Sequence, residues 1–127
     1  MAPTAPATAA EIFEVEQTGD TIIVTALADL SELGYWQIEA DGKAVLDTLA
    51  RAPGRNVVVD FGGTDYCGST ALGLLVGIWK RVRSRGGRMA LCRLSAHEKE
   101  ILHITHLDHV WPLFPSRGEA LNAVRGG

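Results

Sequence analysis

An apolar run that opens into a glycine-rich loop is the feature that most restricts how this chain can fold. Residues 57–61 read Val-Val-Val-Asp-Phe, small turn-forming residues follow, and an Ala/Leu-rich run begins at Ala71. An almost unbroken apolar run of β-branched residues is typical of a strand that is covered on both faces. The segment therefore predicts a buried strand, a tight loop and the start of a helix. Ser69 or Thr70 falls at the expected N-cap, where unpaired backbone N–H groups can hold a phosphate.

The rest of the chain alternates between strand and helix patterns. The predicted strands cover residues 12–17, 21–27, 57–61, 88–92 and 110–114, and the predicted helices cover residues 34–51, 70–85, 96–105 and 117–124. A turn at Thr18-Gly19-Asp20 joins the first two strands into a hairpin. Ser95 with Glu98, and Ser116 with Glu119, have the spacing of residues that cap a following helix.

The element order ββαβαβαβα determines the expected fold class. Strands that alternate with helices need crossover connections, so we predict an α/β fold with a mixed, mostly parallel β-sheet and helices packed on it. At 127 residues the chain is long enough for one domain, expected over residues 11–124. Residues 1–10 are rich in Ala, Pro and Thr and are expected to form a flexible tail.

Charge and composition exclude several classes of function. The net charge of -3 gives no general attraction to nucleic acid, and the basic run from Lys80 to Arg88 is expected to be a solvated helix end. No apolar run is long enough to insert into a membrane, and no signal peptide is evident, so a cytoplasmic location is expected. Cys67 and Cys92 are expected to be free thiols. No cofactor is predicted, because the His103, His106 and His109 run is spread over a helix and a turn.

The loop before Ser69 is similar in spacing to a phosphate-binding P-loop, but it lacks the lysine that such a loop needs. Ser69 also lacks the flanking pattern of a catalytic serine and a partner base, so we expect no enzymatic activity. Binding of a nucleotide or a small anion at the start of this helix stays open, because the free N–H groups suit an anion.

Ser69, Gly73 and Gly77 recur every four residues and form a small-residue stripe along the helix. Each glycine inside a helix costs roughly 1 kcal/mol relative to alanine, so the stripe suggests close approach by another backbone. That backbone could be a neighbouring helix of the same domain or a docked partner.

The chain resembles the STAS domain, the anti-sigma factor antagonist family. The resemblance rests on the element order, the strand at residues 57–61, the segment Tyr66-Cys67-Gly68-Ser69-Thr70-Ala71-Leu72-Gly73 and the later Gly86-Gly87-Arg88-Met89-Ala90-Leu91-Cys92. The family loop typically reads Asp-Ser-Ser/Thr-Gly-Leu-Gly. Ser69 matches the serine that a partner kinase phosphorylates, and Thr70 matches the second hydroxyl. Gly68 stands in place of the usual aspartate, and Ala71 in place of the usual glycine.

The resemblance implies a non-enzymatic switch that binds an anti-sigma factor, a serine kinase or another regulatory protein and releases it when phosphorylated. The candidate phosphorylation sites are Ser69 and Thr70. The candidate partner-binding residues lie in the loop and on the small-residue stripe: Asp65, Cys67, Gly68, Ser69, Gly73 and Gly77. Gly68 favours an alternative, which is an unregulated STAS scaffold or subunit of a stress-signalling or transporter assembly.

Overall fold

The computed structural model describes residues 13–27, 35–62 and 69–125. These residues form the predicted order of elements, and the expected α/β fold is confirmed. The strands are β1 (Phe13–Thr18), β2 (Thr21–Ala26), β3 (Asn56–Asp60), β4 (Met89–Cys92) and β5 (Leu113–Phe114), and the helices are α1 (Tyr35–Arg51), α2 (Ser69–Ser84), α3 (Ala96–Ile104) and α4 (Arg117–Arg125). The predicted flexible tail lies outside the described residues, as do residues 11 and 12 at the expected start of the domain.

The five strands form one mixed sheet in the order β1-β2-β3-β4-β5. The first pair is the predicted antiparallel hairpin, and every later pair is parallel. β3 lies at the centre and is buried along its whole length, as its apolar sequence predicts. Val57 and Val59 belong to the core formed with α1 and α2, whereas Val58 packs with α4. Helices therefore cover both faces of the central strand.

Two helix starts are capped as the sequence predicts. The Ser95 side chain accepts a hydrogen bond from the Glu98 backbone N–H at 3.1 Å, and the Glu98 carboxylate accepts one from the Ser95 N–H at 2.8 Å. At α4, the Glu119 N–H donates to the Ser116 hydroxyl oxygen at 3.2 Å. Each cap satisfies N–H groups that the first turn of a helix leaves without a partner.

The last strand is much shorter than the predicted residues 110–114. Leu107–His109 form a 3₁₀ turn, Trp111 turns inward and is buried, and β5 pairs only through Leu113 and Phe114. Pro112 explains the short ladder, because it has no N–H to donate to the neighbouring strand.

Candidate functional site

The candidate phosphorylation site lies where the chain passes from β3 into α2. Ser69 and Thr70 are the first two residues of α2, and the N-cap expected at one of them stays a prediction. Asp65, Cys67 and Gly68 lie outside the described residues, so their predicted contacts with a partner stay predictions. Phe61 and Ala71 line the same small cavity, which places the start of α2 beside the carboxyl end of β3.

Asp60, the last residue of β3, has a fully buried carboxylate at the carboxyl end of the sheet. Its Oδ1 accepts hydrogen bonds from the Gly62 backbone N–H at 2.8 Å and from Arg93 Nε at 2.9 Å. Its Oδ2 accepts a hydrogen bond from Arg117 Nε, also at 2.9 Å. Burial alone would raise the pKa of Asp60, but the Gly62 N–H and the two guanidinium groups outweigh it and hold that pKa below its ordinary value.

Arg117 connects the start of α4 to three strands. Besides its bond to Asp60 on β3, it donates from Nη2 to the Thr25 hydroxyl on β2 at 2.9 Å, and its Nη1 lies 3.6 Å from the Glu16 carboxylate on β1. Asp60 and Arg117 are 57 residues apart in the chain. This cluster is not predicted from the sequence, in which its signal is an aspartate inside an otherwise apolar strand.

Arg93 packs closely against Gly62. The Arg93 guanidinium lies against the Gly62 backbone, so a Cβ at position 62 would collide with it. Arg93 itself has a left-handed backbone with φ of 58°, which is uncommon for a residue with a side chain.

The small-residue stripe on α2 is divided between two environments. A Cβ at Gly77 would lie 3.2 Å from Leu46 Cδ1 of α1, and one at Gly42 of α1 would lie 3.4 Å from Leu74. Each helix thus presents a glycine to a leucine of the other, so Gly77 supports packing inside the domain. Gly73 is exposed, and among the described residues no atom lies within 4 Å of the position of its Cβ. Of the two glycines, only Gly73 leaves backbone open to a partner.

Two arginines of the basic run at the end of α2 form hydrogen bonds within the domain. Arg85 donates to the carbonyl oxygens of Ala52 at 2.7 Å and Ala50 at 3.0 Å, and Arg81 donates to the Ala52 carbonyl at 3.2 Å. These carbonyls lie at the C-terminal end of α1, where the last turn of a helix leaves acceptors without intrahelical donors. Arg81 and Arg85 therefore bind the end of α1 and are not the solvated helix end that the sequence predicts.

The described residues offer little reactive chemistry. Cys92 is buried on β4, and burial together with the Asp60 charge raises its pKa to about 12, which makes the thiol a poor nucleophile. Within the described ranges, no His, Cys, Asp and Glu side chains group in a way that could hold a metal ion. None of the helices described is both long and apolar enough to span a bilayer.

Comparisons with known proteins agree on one family. The sequence profile of the STAS domain matches residues 3–120. BtrV of Bordetella bronchiseptica, provisionally named an anti-sigma factor antagonist, is 32% identical over 89 residues, which cover 70% of this chain and 73% of BtrV.

A solved anti-sigma factor antagonist (STAS) domain protein from Planctomyces limnophilus is 31% identical in sequence and has a TM-score of 0.79. The match covers 89% of this chain and 97% of that protein. The unphosphorylated form of the anti-sigma factor antagonist SpoIIAA, at 18% identity and a TM-score of 0.75, covers 91% of this chain and 97% of its own and shows the shared fold.

Proposed function

The chain belongs to the STAS domain family, and on that premise we propose that it is an anti-sigma factor antagonist controlled by phosphorylation at Ser69. Its partner is an anti-sigma factor with serine kinase activity or a related regulatory protein of the cytoplasm. The unphosphorylated chain binds the partner, and the phosphorylated chain releases it. The chain itself performs no catalysis in this scheme.

The observation that carries the proposal is the bare backbone at Gly73, one helical turn after Ser69. Residues four apart lie on the same face of a helix, so Ser69 and Gly73 share a face of α2. Nothing in the described chain covers the Cβ position of Gly73. A partner can therefore approach α2 closely at the same place where a phosphate would be attached.

A phosphate on Ser69 would stabilise the start of α2 and also weaken binding of a partner, and both effects are electrostatic. Phosphorylation adds roughly -1.5 to -2 charges, and negative charge is favourable at the start of a helix. The domain can accept the modification without unfolding α2. A partner that contacts this face must then bury or displace that charge, which weakens binding.

An unregulated scaffold is the second candidate, and Gly68 is the observation that favours it. The family loop usually has an aspartate at this position, beside the phosphorylated serine. A chain that binds its partner without being phosphorylated would have no need for that acid.

The test begins with capture of the partner from the native cells and mass spectrometry of the Ser69 and Thr70 peptide. Calorimetry then compares the affinities of the Ser69→Asp and Ser69→Ala variants for the captured partner. We expect Ser69→Ala to bind as the wild type does, and Ser69→Asp to bind on the order of tenfold more weakly, because a charge is placed in the contact.

The matched control is a charge at the opposite end of the same helix. Ser84 is the last residue of α2 and is exposed, so Ser84→Asp should not change the affinity. Melting temperatures of all variants separate loss of binding from loss of fold. Equal affinities of the Ser69→Asp and Ser69→Ala variants, with no phosphate on Ser69 or Thr70, would leave the scaffold as the better account.

A further inference from the structure

A cleft of about 300 Å³ lies at the amino end of β4, between the C-terminal halves of α2 and α4. The opposite, carboxyl end of the sheet holds the Ser69 site. The cleft walls combine two tryptophans, several aliphatic side chains and two arginines: Trp79, Val82, Arg83, Arg88, Met89, Val110, Trp111, Pro112 and Val124. Its volume is at the lower end of the range for small-molecule sites.

The short β5 strand leaves part of the β4 edge free in this cleft. Leu91 donates its N–H to the Pro112 carbonyl at 3.0 Å, so Leu91 directs its main-chain groups toward β5. Met89, two residues earlier, points the same way because strand residues alternate with a period of two. The pairing of Leu91 with Leu113, continued by two residues, would bring Met89 opposite Trp111, which lies outside β5, and Pro112 has no N–H to donate. Pro112 therefore cannot extend the β5 ladder to the Met89 carbonyl.

The polar groups around the cleft favour an anion. Among the described residues that line it, the charged ones are Arg83 and Arg88. The Arg83 Cζ lies 5.0 Å from the centroid of the Trp79 ring, so this guanidinium is held against the aromatic wall. The buried indole N–H of Trp111, a residue that lines the cleft, has no acceptor among the described residues.

From these features we propose that the cleft binds a small apolar carboxylate, with its aromatic or branched aliphatic body against the wall that Trp79 and Trp111 form and its carboxylate toward the arginines. The walls are mainly apolar, so binding removes apolar ligand surface from water. A single negative charge loses less hydration free energy on entry than the double charge of a phosphate, which is why we assign a carboxylate.

The test uses 3-phenylpropionate as the probe and its neutral amide as the matched ligand, in ¹H–¹⁵N NMR titrations of the full chain. We expect saturable shifts of the Trp111 indole N–H and the Met89 amide, with a dissociation constant on the order of 1 mM. The Gly19 amide, in the β1–β2 turn, should not shift. The neutral amide should bind about tenfold more weakly, because the charged hydrogen bonds are lost.

Three variants check which residues are responsible. Arg88→Gln should weaken binding of the acid toward that of the amide, whereas Arg51→Gln, at the exposed end of α1, should leave it unchanged. Ala123→Leu should fill the cleft and abolish binding of both ligands. The proposal is wrong if neither probe shifts Trp111, if acid and amide bind equally, if phenethyl phosphate binds more tightly than the acid, or if Arg88→Gln has no effect in a protein with an otherwise unchanged spectrum.

Discussion

Replacing Asp60 by asparagine should destabilise the domain more than any other single charge removal at the carboxyl end of the sheet. Asparagine has almost the same volume, so no cavity forms. Its carbonyl oxygen can still accept the hydrogen bonds from Gly62 and Arg93, but its amide N–H₂ then faces the Arg117 donor at the present Oδ2 position. The hydrogen bond from Arg117 is lost, and the one from Arg93 is weakened because its acceptor is no longer charged.

The expected loss can be bounded from these contacts. Removing one partner of a fully buried ion pair costs about 3–5 kcal/mol, and hydrogen bonds to charged groups contribute about 1.5–3 kcal/mol. The side chains of Arg93 and Arg117 are 50% and 34% exposed, so water can partly replace the lost carboxylate. We therefore expect a loss of about 2–3 kcal/mol in the free energy of unfolding at pH 7, or roughly 8–12 °C in the melting temperature.

The same change should alter the pH dependence of stability. The folded pKa of Asp60 lies below the ordinary 3.8, so its contribution is complete above that value and is lost as the pH falls through the lower folded pKa. Urea unfolding of wild type and variant, followed by circular dichroism, should show the full difference at pH 7 and a shrinking one below about pH 4. Asp47→Asn on the exposed face of α1 is the control. A difference under about 1 kcal/mol at pH 7, or one that persists undiminished at pH 3, would refute the reasoning.

Three further predictions follow from contacts in the structure. Gly77→Leu should destabilise the domain by about 1–3 kcal/mol, because the new side chain clashes with α1. Gly73→Leu should leave the free energy of unfolding unchanged or raise it. Equal losses of stability in the two variants would contradict the inference that Gly77 is packed and Gly73 is open. Cys92 should resist iodoacetamide in the native protein and react after denaturation, as measured by mass spectrometry of its peptide, and labelling of the folded protein would show an open thiol. Gly62→Ala should lower the melting temperature of the wild type, because the Arg93 guanidinium must move away from Asp60, and should lower it less in an Arg93→Ala background; additive losses in this cycle would mean that the two residues are not in contact.

Local patterns in the sequence were sufficient to predict the order of elements and most of their bounds. The capping pairs at Ser95 and Ser116, the apolar run of β3 and the glycines after α2 each act over a few residues. Their effect is therefore readable without knowledge of the fold. The family resemblance and the candidate serine rest on such local patterns as well.

Contacts between distant parts of the chain depended on the tertiary structure. Asp60 meets Arg93 and Arg117, which lie 33 and 57 residues away, only because β3, β4 and α4 converge at one end of the sheet. Gly73 and Gly77 belong to the same four-residue pattern in the sequence, yet α1 packs against Gly77 and leaves Gly73 open. A residue's local pattern determines which element it joins, but its neighbours are set by how the buried faces of all elements pack together, and that packing is non-local.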